Sequence, residues 1–505
     1  MRLDELVAEL EGARIVGGDA DAEVTGLAYD SRRVRPGTLF FCVPGERADG
    51  HDFGPQAVAD GAVALVVERE LDAAAPQVLV ADARAAMAPL AARFFGDPTA
   101  TLRVVGVTGT NGKTTTAFLI REILEAAAIR SGLMGTVKQI VAGIEEEVVR
   151  TTPEAIELQG TFRRMLEGGD EACAIEVSSH AMALHRADAI HFEAAVFTNL
   201  TQDHLDFHAD MEDYFQAKRL LFAAGPGTAI VNLDDEYGRR LAAEFECVTF
   251  SAEGAEGADL AAADVAFDAA GATFSVRLAP GAGGRRTEGA LEAADPSAAT
   301  ELTVRTRLPG HFNVANALGA LAAALAFGIE PELAAAALAE AAAPPGRFEP
   351  IDEGQAFTVL VDYAHTPDSL ENVLRAARRL TSGRVISVFG AGGDRDRDKR
   401  PKMGRAGAEL SDLAIVTSDN PRSEDPAAIV AEVLAGTEGA GGQVESEVDR
   451  RAAIAMAIGQ ARPGDTVVIA GKGHEQGQEF EDGRKLPFDD RDVAREELRA
   501  LGGAS

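Results

Sequence analysis

Short apolar runs, each closed by glycine, proline or a polar cluster, alternate along this chain with longer segments of helical period. The runs lie at 39–43, 62–67, 104–107, 172–177, 194–198, 228–232, 358–361, 384–389, 413–417 and 466–470. They are apolar on both faces rather than alternating. A continuous apolar run of that length reads as a strand buried on two sides, the kind found in parallel sheets. Helical period is present at 54–61, 114–127, 369–380, 427–434 and 451–461, and in the Ala/Leu stretch that follows Asn316. The alternation predicts an α/β fold built on parallel sheets.

Breaks divide the chain in three. Gly96-Asp97-Pro98 ends one helical segment, and Ala343-Pro344-Pro345-Gly346 separates two others. The expected domains are therefore 1–97, a small α/β unit; 98–341, a central parallel sheet; and 342–505, a Rossmann-like unit. Residues 251–300, rich in Ala, Gly and acids, read as a peripheral β insertion without chemistry.

The run at 104–107 passes into Thr108-Gly109-Thr110-Asn111-Gly112-Lys113-Thr114-Thr115 and then into a helix. A glycine loop between a strand and a helix N-terminus is a phosphate cradle. Its backbone N–H groups and the helix dipole face the anion, Lys113 reaches the outer phosphates, and Thr114 offers a hydroxyl to Mg²⁺. Val107 stands where the usual pattern has its first glycine, so the loop is a variant.

Composition narrows the partners. The 505 residues carry 48 Lys and Arg against 81 Asp and Glu, a formal net charge of −33. That balance argues against non-specific nucleic-acid or anionic-membrane binding. No run of about 18 apolar residues is present, and the Met1-Arg2-Leu3-Asp4-Glu5-Leu6 start has no apolar signal core. Cys42, Cys173 and Cys247 are far apart and read as buried thiols of a reducing compartment, so a cytoplasmic enzyme is expected.

Further polar clusters follow the apolar runs. Glu176 closes one and is a candidate Mg²⁺ ligand or a solvated strand-end acid. Asp203, His204, Asp206 and His208 crowd a loop after another, where His204 is a metal ligand or part of a helix start. Lys218 lies on an amphipathic helix between apolar neighbours and, from the residues alone, reads as a snorkelling lysine. Three clusters, around Arg395, around Asp419-Asn420-Pro421-Arg422 and at Gly471 to Glu475, each follow a strand of the last domain. They converge on one crevice suited to a zwitterionic amino acid, or are solvated turns.

Together these stretches resemble the Mur ligase family of ATP-dependent amide ligases. The resemblance is carried, in family order, by Thr108 to Thr114, Glu176 to His180, Asn199 to His208, the Lys218 helix, His311 to Asn316, Gly346 to Glu349 and Asp362 to His365. The Asp30-Ser31-Arg32 loop and Asp419 to Arg422 are similar to members that add meso-diaminopimelate to UDP-N-acetylmuramoyl-L-alanyl-D-glutamate; Arg422 carries that distinction from lysine-adding members.

The resemblance implies a role for each site. Gly109 to Thr115, Asn316, Arg347 and Asp362 would hold ATP. Ser31, Glu46, Arg47 and Ala48 would meet the uridine nucleotide, and Thr151, Thr152, Ser178 and Arg186 the muramoyl peptide. Arg395, Asp419, Asn420, Pro421, Arg422, Gly471 and Glu475 would hold diaminopimelate. Lys218 would be carbamylated (N6-carboxylysine) and join Thr114, Glu176 and His204 at Mg²⁺, with Lys113, Lys218 and His204 catalytic. Leu184 and Glu46 depart from glutamine and histidine found in some relatives. The implied enzyme is a monomer that forms an acyl phosphate from ATP and the D-glutamyl carboxylate. The alternatives are a lysine-adding member, a folylpolyglutamate-synthase-like ligase, or a P-loop switch with no use for an amino-acid crevice.

Overall fold

The computed structural model describes residues 1–45, 48–148, 150–268, 271–280 and 300–502. The chain forms two compact units. The first comprises Met1–Gly106, Ala128–Ala195 and Ala217–Gly227; the second comprises Val107–Ala127, Val196–Gln216 and Thr228–Ser505. Strands Arg103–Thr108 and Phe192–Phe197 each run from the first unit into the second.

The first unit opens with a five-stranded sheet in the order Arg14–Val16, Gln77–Leu79, Ala62–Val67, Thr38–Phe41, Gly26–Ala28. All its pairs are parallel except the first. Leu39, Phe41 and Val66 enter a core under helices Leu3–Val7 and Met87–Phe94, while Phe40, Leu65 and Val67 enter another with Ala57 of helix Gly54–Ala59. Side chains of a strand alternate between faces, so a strand covered on both sides is apolar throughout. The same unit holds Ala172–Glu176 parallel to Ser131–Met134, which continues antiparallel through Gln139–Val141 and Ile144–Glu146.

In the second unit Thr228–Asn232 pairs in parallel with Cys247–Ser251, and Cys247–Ser251 with Leu260–Asp268. Gly271–Leu278 and Thr300–Thr306 extend the sheet antiparallel. The expected β insertion is thus an edge of the sheet; residues 281–299 lie outside the described ones. A second sheet runs Glu349–Pro350, Thr358–Asp362, Thr466–Ala470, Val385–Phe389, Leu413–Val416, Gln443–Ser446, parallel except for the first pair. Helices Pro367–Leu380, Lys399–Leu410 and Pro426–Ala435 cover one face; Arg450–Gln460 and Asp490–Gly502 cover the other. This is the doubly wound arrangement expected of the last domain, with ligand-binding loops at the carboxyl ends of the strands.

Those carboxyl ends are fixed from beneath by Arg450. Its guanidinium is removed from solvent, ion-paired to Asp490 at 2.7 and 2.8 Å, and donates to Ala470 O at 2.9 Å and Ser418 O at 3.3 Å. Burial works to lower the Arg450 pKa, but Asp490 outweighs it and the net direction is upward. Cys42 and Cys173 are buried as expected; Cys247, first in its strand, is only half-buried. Burial raises Cys42 to about 12 and Cys247 to about 11, so neither is a thiolate at neutral pH. No helix among the described residues is long and apolar enough to cross a membrane.

Asp490→Ala leaves Arg450 buried and unpaired. It is expected to lower stability by about 3–5 kcal/mol, read by urea denaturation of the whole chain. A loss under about 1 kcal/mol would show that the pair does not hold these strand ends.

Candidate active site

The loop before helix Lys113–Ala126 is shaped by its neighbours. Thr110 N–H donates to Asn199 O at 2.9 Å, Asn111 N–H to Asn199 Oδ1 at 2.9 Å, and the Thr198 hydroxyl to Asn111 O at 2.6 Å. Lys113 Nζ lies over the loop, donating to Gly109 O at 2.9 Å and Thr110 O at 2.8 Å. Gly109 has φ +151°, and a Cβ there would sit 1.9 Å from Thr198 Oγ1. Only glycine allows the loop to lie this close to the next strand end. The backbone cradle and the ammonium suit a polyphosphate anion.

Beside the loop is a cavity of about 240 Å³. Six of the residues assigned to ATP line it: Asn111, Gly112, Thr115, Asn316, Arg347 and Asp362. Arg347 Nη2 donates to Thr114 Oγ1 at 3.0 Å, and its guanidinium lies 4.5 Å from the Tyr363 ring centre. Thr116 Oγ1 donates to Asn316 Oδ1 at 3.3 Å, tying the Lys113–Ala126 helix to helix His311–Ala326. Asp362 accepts from Phe348 N–H at 2.7 Å. Burial raises its pKa to about 6, with Arg347 pulling the other way. Sequence reasoning missed Asn232, Asp234, Phe312 and Tyr363 on the cavity wall. It also read 251–300 as free of chemistry, yet Ala252 and Glu253 line the cavity; they follow a strand end, which was the available signal.

Residues 198–206 link this site to the last sheet. Asp368 accepts from Asn111 Nδ2 at 2.9 Å and from Thr201 Oγ1 at 3.5 Å. Gln202 donates to Asp396 at 3.1 Å and accepts from Lys402. Asp203 is buried with His204 Nε2 at 3.4 Å, Lys399 Nζ at 3.7 Å and His365 Nε2 at 3.9 Å. Burial acts to raise its pKa, and these three cations and imidazoles more than reverse that, holding the carboxyl below the usual range. His204 itself has φ +56°.

The three clusters of the last domain do converge. Asn420 Nδ2 donates to Glu475 Oε2 at 2.8 Å, and Gln478 Nε2 to Asp419 O at 2.6 Å. Gly471, at φ +122°, passes so near that a Cβ would be 2.4 Å from Asp419 Oδ2. Arg422 donates to Glu479 Oε2 at 3.0 Å and Gly393 O at 2.7 Å. Asp419 is buried, which acts to raise its pKa; Lys472, Arg450, His365 and Arg422 hold it low. Arg395 stands on the rim, paired with Asp206 at 3.4 Å. Buried Arg400, not singled out in the sequence, grips Glu424 at 2.7 and 2.9 Å and Gly392 O at 3.2 Å, joining the 392–400 and 419–424 loops.

In the first unit, Thr152 Oγ1 donates to Glu176 O at 2.8 Å and accepts from Ser178 N–H at 3.1 Å; Arg186 Nη1 donates to Thr152 O at 3.2 Å. The Thr151 and Thr136 hydroxyls are 3.0 Å apart, and Thr136 donates to both Glu176 oxygens, by N–H at 2.8 Å and hydroxyl at 3.0 Å. Thr151, Thr152, Ser178, Arg186 and Glu176 therefore lie in one hydrogen-bonded cluster, with Thr152 and Glu176 buried. Ser31 begins a helical turn capped by Asp30. Ala48 is described; Glu46 and Arg47 lie outside the described residues.

Lys218, in helix Met211–Ala223, is only 1% exposed, which overturns the snorkelling reading: its ammonium does not reach water. Among the described residues no group of three or more His, Cys, Asp or Glu side chains forms a metal cluster. Thr114 and Glu176 offer hard oxygen donors of the kind Mg²⁺ takes. A lysine ammonium offers only donors, so Lys218 fits such an ion only as a carbamate.

Three family models match the chain: "Mur ligase family, catalytic domain" over residues 23–95, "Mur ligase middle domain" over 107–324, and "Mur ligase, glutamate ligase domain" over 346–473. A UDP-N-acetylmuramoyl-L-alanyl-D-glutamate--2,6-diaminopimelate ligase of Syntrophomonas wolfei is 45% identical, covering 99% of this chain and 99% of its own. One of Streptomyces coelicolor is 46% identical over 97% of this chain and 95% of its own. A solved structure of a protein of the same name has 32% identity and a TM-score of 0.68, covering 99% of each chain. The chain belongs to the Mur ligase family.

Two outcomes test this geometry. Gly109→Ala should weaken ADP binding in titration calorimetry by about tenfold or more, because the added methyl displaces the loop; unchanged affinity would remove the loop from the nucleotide site. Asp362, whose carboxyl titrates near 6 when folded against 3.8 unfolded, stabilises the fold fully only below pH 3.8, and that contribution fades as pH rises through 6. Compared with Asp362→Asn, the wild type should therefore lose stability between pH 4 and pH 7 in urea titrations; parallel pH curves would refute the shift.

Proposed function

We propose that this protein is an ATP-dependent ligase that adds meso-diaminopimelate to UDP-N-acetylmuramoyl-L-alanyl-D-glutamate, in cytoplasmic synthesis of peptidoglycan precursors. The observation that carries the reading is the convergence of Asp419, Asn420, Arg422 and Glu475 on one crevice in a chain whose relatives of that name match it end to end. Arg422 and Arg395 suit the carboxylates of the amino acid, and Glu475 and Asp419 its ammonium groups. The domains are 1–97 for the uridine nucleotide, 98–341 for ATP and 342–505 for the amino acid, in a monomer.

The D-glutamyl carboxylate attacks the γ-phosphorus of ATP, and the bond to the β,γ-bridging oxygen breaks to release ADP. The amine of diaminopimelate then attacks the acyl carbon, and phosphate leaves with its oxygen. The first step is mainly positioning and charge neutralisation. Gly109 to Thr115 form the phosphate loop, in which Lys113 and the N–H groups at the start of helix Lys113–Ala126 orient the phosphates, while Asn316, Arg347 and Asp362 hold the nucleotide. Thr151, Thr152, Ser178 and Arg186 hold the muramoyl peptide; Ser31, Glu46, Arg47 and Ala48 hold the uridine nucleotide. Thr114, Glu176, His204 and carbamylated Lys218 would hold Mg²⁺, which would supply further neutralisation of phosphate charge.

Phosphate release and product mass, with meso-diaminopimelate compared against L-lysine, test the reading. Amide product should form only with diaminopimelate. Product with lysine alone would keep the ligase and discard the specificity; phosphate without amide would favour a switch. Lys113→Ala should lower kcat/KM by at least about 10²-fold with an unchanged melting curve, and normal turnover would overturn the assignment of the loop.

A further inference from the structure

The amino-acid crevice has a cation at its centre that none of its motifs accounts for. Lys472 has no solvent exposure. Its Nζ donates to Asn420 Oδ1 and to Glu475 Oε2, both at 2.8 Å, and lies 3.9 Å from Asp419 Oδ1. Asn420 Nδ2 donates to the same Glu475 Oε2, so the three side chains close a triangle. The other Glu475 oxygen accepts from the Tyr363 hydroxyl at 3.5 Å. The turn that carries Lys472 is tight: Gly471 and Gly473 have φ of +122° and +55°.

A fully buried ammonium is costly unless its donors and its charge are met. Here they are met by the two side chains that the crevice needs in fixed places. The local charge is also set by it. Asp419 and Glu475 bring two negative charges; Lys472 offsets one, whereas Arg422 is already paired with Glu479. With Lys472 the crevice suits an amino-acid end bearing both ammonium and carboxylate. Without it the crevice is more negative by one charge, which favours a bare ammonium such as the side chain of L-lysine.

We infer that Lys472 is a positioning residue of the amino-acid crevice, holding Glu475 and Asn420 and biasing the site toward diaminopimelate over L-lysine. The inference rests on the substrate reading above. Its test is steady-state kinetics of the full-length Lys472→Met and Lys472→Gln proteins, the second keeping hydrogen bonds without the charge and serving where the first fails to fold. KM for diaminopimelate should rise about tenfold or more, KM for ATP and for the uridine nucleotide should stay within about twofold, and the kcat/KM preference over L-lysine should fall. Unchanged KM and preference, with a wild type that uses diaminopimelate, would overturn the inference alone. Equal rises in all three KM values would mean a structural role and also overturn it. A wild type that makes no diaminopimelate product would overturn the substrate reading and the inference with it.

Discussion

The last sheet depends on one guanidinium that never meets water. Arg450 joins the carboxyl ends of strands Leu413–Val416 and Thr466–Ala470 by donating to Ser418 O and Ala470 O, while Asp490 neutralises it. Strand ends leave carbonyl oxygens that a buried loop must satisfy. Arg450 meets two of them, while Asp419 and Asn420, themselves buried, are tied to Gln478, Glu475 and Lys472. A second buried guanidinium, Arg400, does similar work between the loops that follow Phe389 and Val416. In both places charge is sequestered to hold backbone, and the polar side chains above are thereby positioned without contributing to that hold.

The phosphate loop follows a different logic. The N–H groups at the helix start face the anion, and the residues before them take their shape from neighbours rather than from turns of their own. Thr198 and Asn199 take the loop's carbonyl of Asn111 and accept from Thr110 and Asn111 N–H. Asn111 in turn reaches Asp368 at the start of helix Pro367–Leu380. The nucleotide loop and the last sheet are therefore joined by side chains that carry little apolar area. Contacts of this kind reorganise at small cost.

Much of this was legible in the sequence because the strands are covered on both faces. Runs such as Leu65-Val66-Val67 and Val467-Val468-Ile469 have no other physical reading at that length. Strands at or next to a sheet edge were not legible: Gln139–Val141, Ile144–Glu146 and Gln443–Ser446 are only three or four residues long and mix Gln, Glu or Ser with their apolar residues. Nor was helix Lys399–Leu410, whose start lies in a run of Arg, Asp and Lys that reads as a loop. At the site, Asn111, Gly112 and Thr115 were visible because glycine and lysine spacing fixes the chemistry of their loop, while Asn316, Arg347 and Asp362 were reached only through the family resemblance. Asp234, Glu253, Arg400 and Lys472 were not visible, since a lone acid or base in sequence says nothing of what it faces. Lys218 shows the converse: neighbours on both sides hinted at burial, but only the fold shows that its amine is shut away.

Tyr363 follows strand Thr358–Asp362 and is shared by two sites. Its ring faces the Arg347 guanidinium on the nucleotide side, and its hydroxyl reaches Glu475 on the amino-acid side. One rigid aromatic plane thus forms part of both walls. Whatever shifts the ring against Arg347 also shifts its hydroxyl against Glu475, so one rigid side chain ties the two contacts together.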